Sequence, residues 1–342
     1  MNTIPLGDTG LKVSAVGFGG IPITRLPPDE AAGLIRRALE GGVNFIDTAY
    51  SYPGSEERIG LAVRGLPRER FVIASKDASR DGAMFARHVD ESLQRLGQAW
   101  LDVMQLHNVS DRATWDDVRA ARGALPALLR LRDRGLVRHV GVTCHNAELA
   151  AELVETRLFE TVQVPFNFIA DEATELVARC VEKGIGFIGM KPFAGGAIED
   201  AVLALGFLQE YPSAVPIPGI ETRAELEQVL ELYERPGPLT DGQRRRIAEL
   251  KKELGKVFCH ACGYCQPCPQ GVAIEMVLRA RSFARRLPAE RAERVLSRAM
   301  AKVDDCTECG QCLTKCPYHL EIPSMLRASR RWFDKWLKTL PR

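Results

Sequence analysis

The sequence predicts an α/β protein: a closed (β/α)8 barrel followed by a small, mainly helical, cysteine-rich domain. Three observations carry that expectation. From residue 13 to about 235, short apolar runs alternate with Ala/Leu/Arg/Glu-rich stretches of helical spacing. The apolar runs are continuous, as in strands buried on both faces of a parallel sheet. Eight such units over about 220 residues match the length of a closed barrel rather than an open sheet.

In order, the opening IPLGDTGLKVS reads as a hairpin ahead of the barrel, with Gly7, Asp8 and Gly10 at its turns. The strands follow as VSAVGFG, VNFID, FVIAS, LDVMQLH, VRHVGV, TVQVP, GFIGM and AVPIP. Between the first two, DEAAGLIRRALEGG puts Ala32, Ile35, Ala38 and Leu39 on one helical face. ELVARCVEKG closes on Lys183 and Gly184, a helix stop. ERPGPLTDGQ (234–243) breaks the alternation with Pro236, Gly237, Pro238 and Gly242. The expected division is therefore 1–235 for the barrel, 236–256 for a linker and connecting helix, and 257–342 for the cysteine-rich domain. In that last part a helical stretch turns at Pro288 and Ala289 between the two cysteine runs. A terminal helix interleaves Trp332, Phe333 and Trp336 with Arg330, Arg331, Lys335 and Lys338.

Composition narrows the class. The 342 residues are 46% hydrophobic and 26% charged, as in an ordinary globular protein. A net charge of +2 gives no reason to expect nucleic acid or a membrane surface as partner. No apolar run reaches the roughly 18 residues of a membrane span, and MNTIPLGDTG lacks the plan of a signal peptide. The expectation is a cytoplasmic protein with reduced thiols, so crowded cysteines are read first as metal ligands.

Function in such a barrel sits at the C-terminal ends of the strands. Strand two ends at Asp47, with Tyr52 in the loop beyond; strand three ends at Lys76 and strand four at His107. Alone, Asp47 suits a helix N-cap, Lys76 a solvated strand end and His107 a partly buried histidine. Together they make chemical sense. A phenol with a pKa of about 10 is a poor acid at neutral pH. A neighbouring ammonium eases its ionisation, a carboxylate holds the ammonium, and an imidazole orients a carbonyl. The set would protonate a carbonyl oxygen as hydride reaches carbon.

These residues lie in a wider pattern. LGDTGLKVS, NFIDTAYSYPGSEERIG, SK at 75–76, LDVMQLH, GVT at 141–143, VQVPFN and IPG at 217–219 together resemble the aldo-keto reductase superfamily over roughly residues 3–235. The resemblance implies a TIM-barrel oxidoreductase that uses NADP or NAD on a small carbonyl or alcohol substrate. It implies Tyr52 as proton donor, tuned by Lys76 and Asp47, with His107 placing the carbonyl. It implies Thr143 and Gln163 at the nicotinamide carboxamide, and MKPFAGG (190–196), with Met190, Lys191 and Phe193, against the cofactor. Gly20, in the tight GFGG loop, passes near the same ring. Family members often carry a basic cluster after strand eight for the adenosine 2′-phosphate. Here Gly219 replaces a lysine, Glu221 and Glu225 are acidic, and Arg223 alone is basic, which leaves NADP against NAD open. The segments 75–82 and 108–117, with Arg80, Arg112 and Trp115, are expected to shape the pocket.

The cysteine runs are CHACGYCQPCP (Cys259, Cys262, Cys265, Cys268) and CTECGQCLTKCP (Cys306, Cys309, Cys312, Cys316). They resemble bacterial ferredoxin runs and imply two 4Fe-4S clusters in a ferredoxin-like iron–sulfur domain. Zinc and a single cluster are the rival readings. In ferredoxin-type runs the trailing cysteine serves the other cluster. The expected sets are therefore Cys259, Cys262, Cys265 and Cys316 for one cluster, and Cys306, Cys309, Cys312 and Cys268 for the other. A subset of aldo-keto reductases carries such a dicluster tail, and this chain is similar to that subset. Cys180 reads as core, and Cys144 as a small filler or an accessible thiol. The terminal basic helix is either a docked helix with a solvated face or a docking surface for an acidic electron carrier. Hydride moves two electrons and a cluster usually one, so a second reading stands beside the reductase. In it the chain is an electron-transfer or assembly protein whose barrel binds nicotinamide but turns over little substrate.

Overall fold

The computed structural model describes residues 1–255, 257–260, 263–286 and 289–340. Its strands are β1 (Thr3–Pro5), β2 (Lys12–Ser14), β3 (Phe18–Gly19), β4 (Phe45–Asp47), β5 (Val72–Asp77), β6 (Leu101–Leu106), β7 (Val137–Thr143), β8 (Thr161–Pro165), β9 (Gly186–Met190) and β10 (Ala214–Ile217). β1 and β2 pair antiparallel, with Ile4 opposite Val13. From β3 to β10 the strands form one ladder in chain order. Its two ends meet. Gly17 and Gly19 donate to Pro216 and Pro218 carbonyls at 2.8 Å each, and Gly19 bridges Gly219 in parallel. A Cβ on Gly19 would stand 2.8 Å from the Ile217 carbonyl oxygen, so closure there requires glycine.

VSAVGFG is not one strand. Lys12–Ser14 belongs to the hairpin and only Phe18–Gly19 joins the barrel. Ser14 explains the break. Its amide donates to Asn44 Oδ1 at 2.6 Å and its hydroxyl to the Val16 carbonyl at 2.7 Å, which diverts the chain between two ladders.

The first helices are α1 (Pro28–Glu40), α2 (Ser55–Val63), α3 (Gly82–Leu96), α4 (Arg112–Arg119), α5 (Ala124–Asp133), α6 (Ala147–Glu155), α7 (Thr174–Glu182), α8 (Ala201–Gln209) and α9 (Arg223–Glu234). One follows each barrel strand, except that α4 and α5 both follow β6. Ala32, Ile35, Ala38 and Leu39 of α1 are buried, as the spacing predicts. Inside the barrel Phe45, Val103, Ile188 and Val215 pack with Leu6 and Val13 of the hairpin. Each such side chain, fully buried, contributes about 1.5–3 kcal/mol. The interior is thus a packed core, and polar side chains gather at the strand ends.

The chain divides into two compact units. One comprises Met1–Phe193 and Asp200–Ala248; the other comprises Ala194–Glu199 and Glu249–Arg342. The helices of the last third are α10 (Asp241–Leu254), α11 (Ile274–Leu278), α12 (Ala280–Arg286), α13 (Ala289–Met300), α14 (Gln311–Thr314) and α15 (Ile322–Leu337). The expected turn residue Pro288 lies outside the described residues. The second unit's core joins Val277, Leu296, Met300, Leu326 and Phe333 to the thiols of Cys265 and Cys316. Within this unit Ser282 Oγ donates to the Gly196 carbonyl at 2.9 Å. A Cβ on Gly195, whose φ is +66°, would stand 2.7 Å from the His260 carbonyl carbon.

Candidate active site and cysteine-lined cavity

β4, β5 and β6 bring three of the four expected catalytic groups to one rim, and the β4–α2 loop brings the fourth. Asp47 is the last residue of β4, Lys76 lies in β5, and His107 directly follows β6. Lys76 is 2% exposed. Its Nζ donates to Asp47 Oδ1 at 2.6 Å and to the Thr48 carbonyl at 2.7 Å. The same Nζ stands 5.1 Å from the centroid of the Tyr52 ring. Tyr52 meets His107 edge to face, with ring centroids 6.1 Å apart. The loop bearing Tyr52 is pinned by Tyr50 N to the Lys76 carbonyl at 3.0 Å and closed by Tyr52 N to the Ala49 carbonyl at 3.0 Å.

Burial dominates the electrostatics of this group. It raises the Asp47 carboxyl above its usual range, with Lys76 pulling the other way. It lowers the Lys76 ammonium, opposed first by Asp47. His107 is held well below an ordinary histidine by burial, then by Lys76, Arg80 and Lys191. Its imidazole is therefore neutral at neutral pH.

The expected cofactor residues fall at the ends of later strands. Thr143 closes β7 and is buried; its hydroxyl accepts from Asn108 N at 2.8 Å and keeps its own proton to donate. Gln163 of β8 is buried and accepts from Gln105 Nε2 at 2.9 Å. Met190 ends β9 inside the barrel core. Lys191 has a φ of +58°, and Asn167 Nδ2 donates to its carbonyl at 2.9 Å. Phe193 is partly buried against the outer core. Gly20 donates to the Asp47 carbonyl at 2.8 Å. Gly219 sits at the closing bridge.

The region around Arg223 is balanced in pairs. Arg223 Nε bonds Glu227 at 2.6 Å, and Arg25 grips Glu221 through two bonds of 2.9 and 2.7 Å. Glu225 completes a capping box with Thr222.

Some expectations need correcting. Most of segment 108–117 is helix α4 rather than loop. Trp115 is buried and tilted against Phe159, 6.0 Å between centroids, and Arg112 pairs with Glu152. Arg80 instead clamps the end of β6, donating to the His107 and Asn108 carbonyls at 3.0 and 2.9 Å. Cys144 is buried, and burial pushes its thiol up to about 11. Cys180 is likewise pushed up to about 12. Sequence reasoning missed Asn167, Asn108 and Ser110, which lock the rim loops, and the buried Glu56. The N at the end of VQVPFN was the available signal for Asn167.

In the second unit, Cys265, Cys268, Cys306, Cys309 and Cys312 line one cavity of about 380 Å³, counting space open to solvent. The trailing cysteine of the first run thus lies with the leading three of the second. The Cys312 thiol is raised by burial, then by Cys306, Cys309 and Cys268. Cys316 is buried in the same apolar cluster as Cys265, with Cys259 packed against it. Cys262 lies outside the described residues. Among the described residues no three metal-ligating side chains converge as one metal ion would need; the thiols are instead spread around a hollow. Phe258, His260 and Tyr318 stack in series at 4.2 and 3.7 Å between centroids, which ties the two runs together.

A closed eight-stranded barrel with this rim, followed by paired cysteine runs, defines an oxidoreductase architecture with an appended iron–sulfur module. The Aldo/keto reductase family profile matches residues 15–206, and the 4Fe-4S dicluster domain profile matches residues 258–321. The chain belongs to the aldo/keto reductase family and carries a C-terminal 4Fe-4S dicluster domain. It is 30% identical over 214 residues to the L-galactose dehydrogenase of Arabidopsis thaliana, a match covering 57% of this chain and 66% of that protein. The chain thus spans slightly under two thirds of that relative's length. An aldo-keto reductase of Pseudomonas aeruginosa superposes with a TM-score of 0.61 at 26% identity, covering 68% of this chain and 93% of that one. An aldo-keto reductase of Klebsiella pneumoniae in complex with NADPH shares the fold at a TM-score of 0.62 and 22% identity, covering 73% of this chain and 95% of that one. No helix among the described residues is long and apolar enough to cross a membrane.

Proposed function

We propose that this chain interconverts a small carbonyl compound and its alcohol with a nicotinamide dinucleotide, using Tyr52 as the proton donor. The observation that carries the reading is the buried Lys76 ammonium, anchored on Asp47 and Thr48 and standing over the Tyr52 ring. A fixed cation there stabilises negative charge developing on the phenol oxygen as its proton leaves. Neutral His107 offers a hydrogen bond to the carbonyl oxygen without competing for the proton. The residues present fit an amide-bearing ring: the Thr143 hydroxyl has a proton to donate at the end of β7, and Asn167 holds the Lys191 carbonyl in place. NADP or NAD, when bound, supplies hydride to the carbonyl carbon. Thr143, Gln163, Met190, Lys191 and Phe193, with Gly20 close by, would hold its nicotinamide, while Gly219 and Arg223 would lie toward its far end.

The cysteines support two 4Fe-4S clusters with crossed ligation. Cys268 lines one cavity with Cys265, Cys306, Cys309 and Cys312, and Cys316 lies with Cys265 in the apolar cluster against which Cys259, Cys268, Cys306 and Cys312 pack. Cys309 is exposed, α15 presents exposed Arg331 and Lys335, and Lys338 just beyond its end is exposed as well. Those charges suit an acidic electron carrier as partner.

The test is NADPH and NADH consumption by the cluster-loaded protein against an aldehyde panel, for the native chain and Tyr52→Phe. Turnover of the variant should fall by about 10²–10⁴, the usual worth of a general acid, with nicotinamide affinity unchanged. Equal turnover by the two proteins would remove Tyr52 from the mechanism.

A further inference from the structure

One buried charge at the rim lies outside the Asp-Tyr-Lys-His set. Glu56 stands in the first turn of α2, where an acidic side chain usually faces water and the helix N-terminus. Here it is 1% exposed. Two elements, β5 and α3, supply its partners. Ser75 of β5, next to Lys76, donates through Oγ to Oε1 at 2.8 Å. Arg95 of α3 faces Oε2 through Nη1 at 3.4 Å. A buried ion costs several kcal/mol before its partners repay it, and an apolar side chain would fill the space more cheaply. The charge therefore asks for a reason.

Its surroundings give one. Arg95, Glu56, Lys76 and Asp47 form a run of alternating charge from α3 to the end of β4. After Asp47, Glu56 is the other anion acting on the Lys76 ammonium. Arg95 is shared with Glu57 at 3.6 Å and Glu91 at 3.4 Å. It also lies 4.4 Å over the Tyr50 ring, whose hydroxyl donates to Glu91 at 2.7 Å. Besides Lys76, the charged groups acting on His107 are Arg80 and Lys191.

We propose that Glu56 is a positioning residue for the carbonyl–alcohol reaction: its buried negative charge adds to that of Asp47 in balancing Lys76 and sets the potential at the Tyr52 phenol. The proposal rests on the Tyr52-centred reading above. The sign follows from electrostatics. An anion favours the protonated forms of both the ammonium and the phenol, so its removal lowers the pH at which each loses its proton.

Glu56→Gln tests this in the full chain with clusters in place, because glutamine keeps the shape and still accepts from Ser75. The basic limb of the carbonyl-reduction pH profile should move down by on the order of one unit. Ultraviolet titration of the Tyr52 phenol in cofactor-free protein, with Tyr52→Phe as the blank, should move the same way. Glu56→Asp, which keeps the charge, should return the limb toward its native position. Arg95→Gln, at a more tolerant and partly exposed site, should move it upward and serves if Glu56→Gln fails to fold. A Glu56→Gln protein with lower thermal stability but an unmoved limb and phenol titration would make the carboxylate merely structural and overturn the proposal. An unmoved limb in Arg95→Gln would do the same. Failure of the underlying reading shows separately: native protein and Tyr52→Phe would then turn over alike.

Discussion

At the barrel rim, Lys76 Nζ has two protein oxygens within 2.7 Å, and Asp47, Thr143 and Gln163 are buried with partners drawn from the chain itself. In the second unit the prospective ligands are part of the core. Cys265 and Cys316 count among its buried side chains, and Cys259, Cys268, Cys306 and Cys312 pack against them. The rim is preorganised by strands that fold for their own apolar reasons. The second unit gathers thiols around a hollow, and clusters held there would couple metal binding to folding.

The sharpest way to break that contrast is to strip the iron. Chelation under oxidising conditions should abolish the cooperative melting of the second unit while a separate barrel transition persists. Differential scanning calorimetry and circular dichroism read both. A finer version replaces Cys259, Cys262 and Cys265 together by Ala, followed by anaerobic reconstitution and thiol alkylation. Crossed ligation leaves Cys316 reactive and Cys268 protected; the reverse labelling would assign each run its own four ligands.

The opposite attack goes to the rim. Lys76→Met leaves Asp47 buried without its counter-ion, which should cost the barrel about 3–5 kcal/mol. Urea denaturation followed by barrel fluorescence measures it. A loss under about 1 kcal/mol, the value of an exposed ion pair, would mean that the rim is less dry than its geometry indicates.

A smaller effect is expected for the choice of cofactor. Arg223 is engaged with Glu227 and Arg25 with Glu221, so little positive charge is left for a 2′-phosphate. NADPH and NADH should differ by less than about tenfold in affinity, or about 1.4 kcal/mol. Titration calorimetry decides, and Glu221→Gln, which releases Arg25, should tilt the balance toward NADPH.

The mildest effect comes from His107. Its folded-state pKa is depressed by burial, so the unfolded chain takes up a proton at higher pH than the folded one. Barrel stability should be level above about pH 6.5 and decline as pH falls below it, by at most about 1.4 kcal/mol per unit for this group. His107→Gln should flatten that part of the curve.

Much of this was legible in the residues. The eight apolar runs mark β3 to β10 because strands buried on both faces have no solvent side to alternate with. The Asp47, Lys76 and His107 positions follow from where each run stops. Other features were hidden for physical reasons. Ser14 splits the first run through side-chain bonds to Asn44 and Val16, and a strand pattern does not register such bonds. SDRATWDD is rich in turn formers, but Asp111 caps a helix by accepting from Thr114 N. Glu56 sits in SEER, which reads as the acidic opening of a solvated helix; only the approach of Ser75 and Arg95 reveals it as buried.

The six residues Ala194–Glu199 give the molecule an unusual seam. They lie in the chain between β9 and α8, yet they pack with Ser282 and His260 of the second unit. The polypeptide therefore passes from one unit to the other three times, at 193/194, 199/200 and 248/249. A clean modular boundary would be crossed once. Trimming the chain after Ala248 would leave this stretch, with left-handed residues Ala194, Gly195 and Gly196, stripped of the neighbours that hold it, next to Lys191 and Phe193. The two modules of this chain are thus spliced rather than strung, and neither is expected to be freely exchangeable for its counterpart in another reductase unless this seam is carried along.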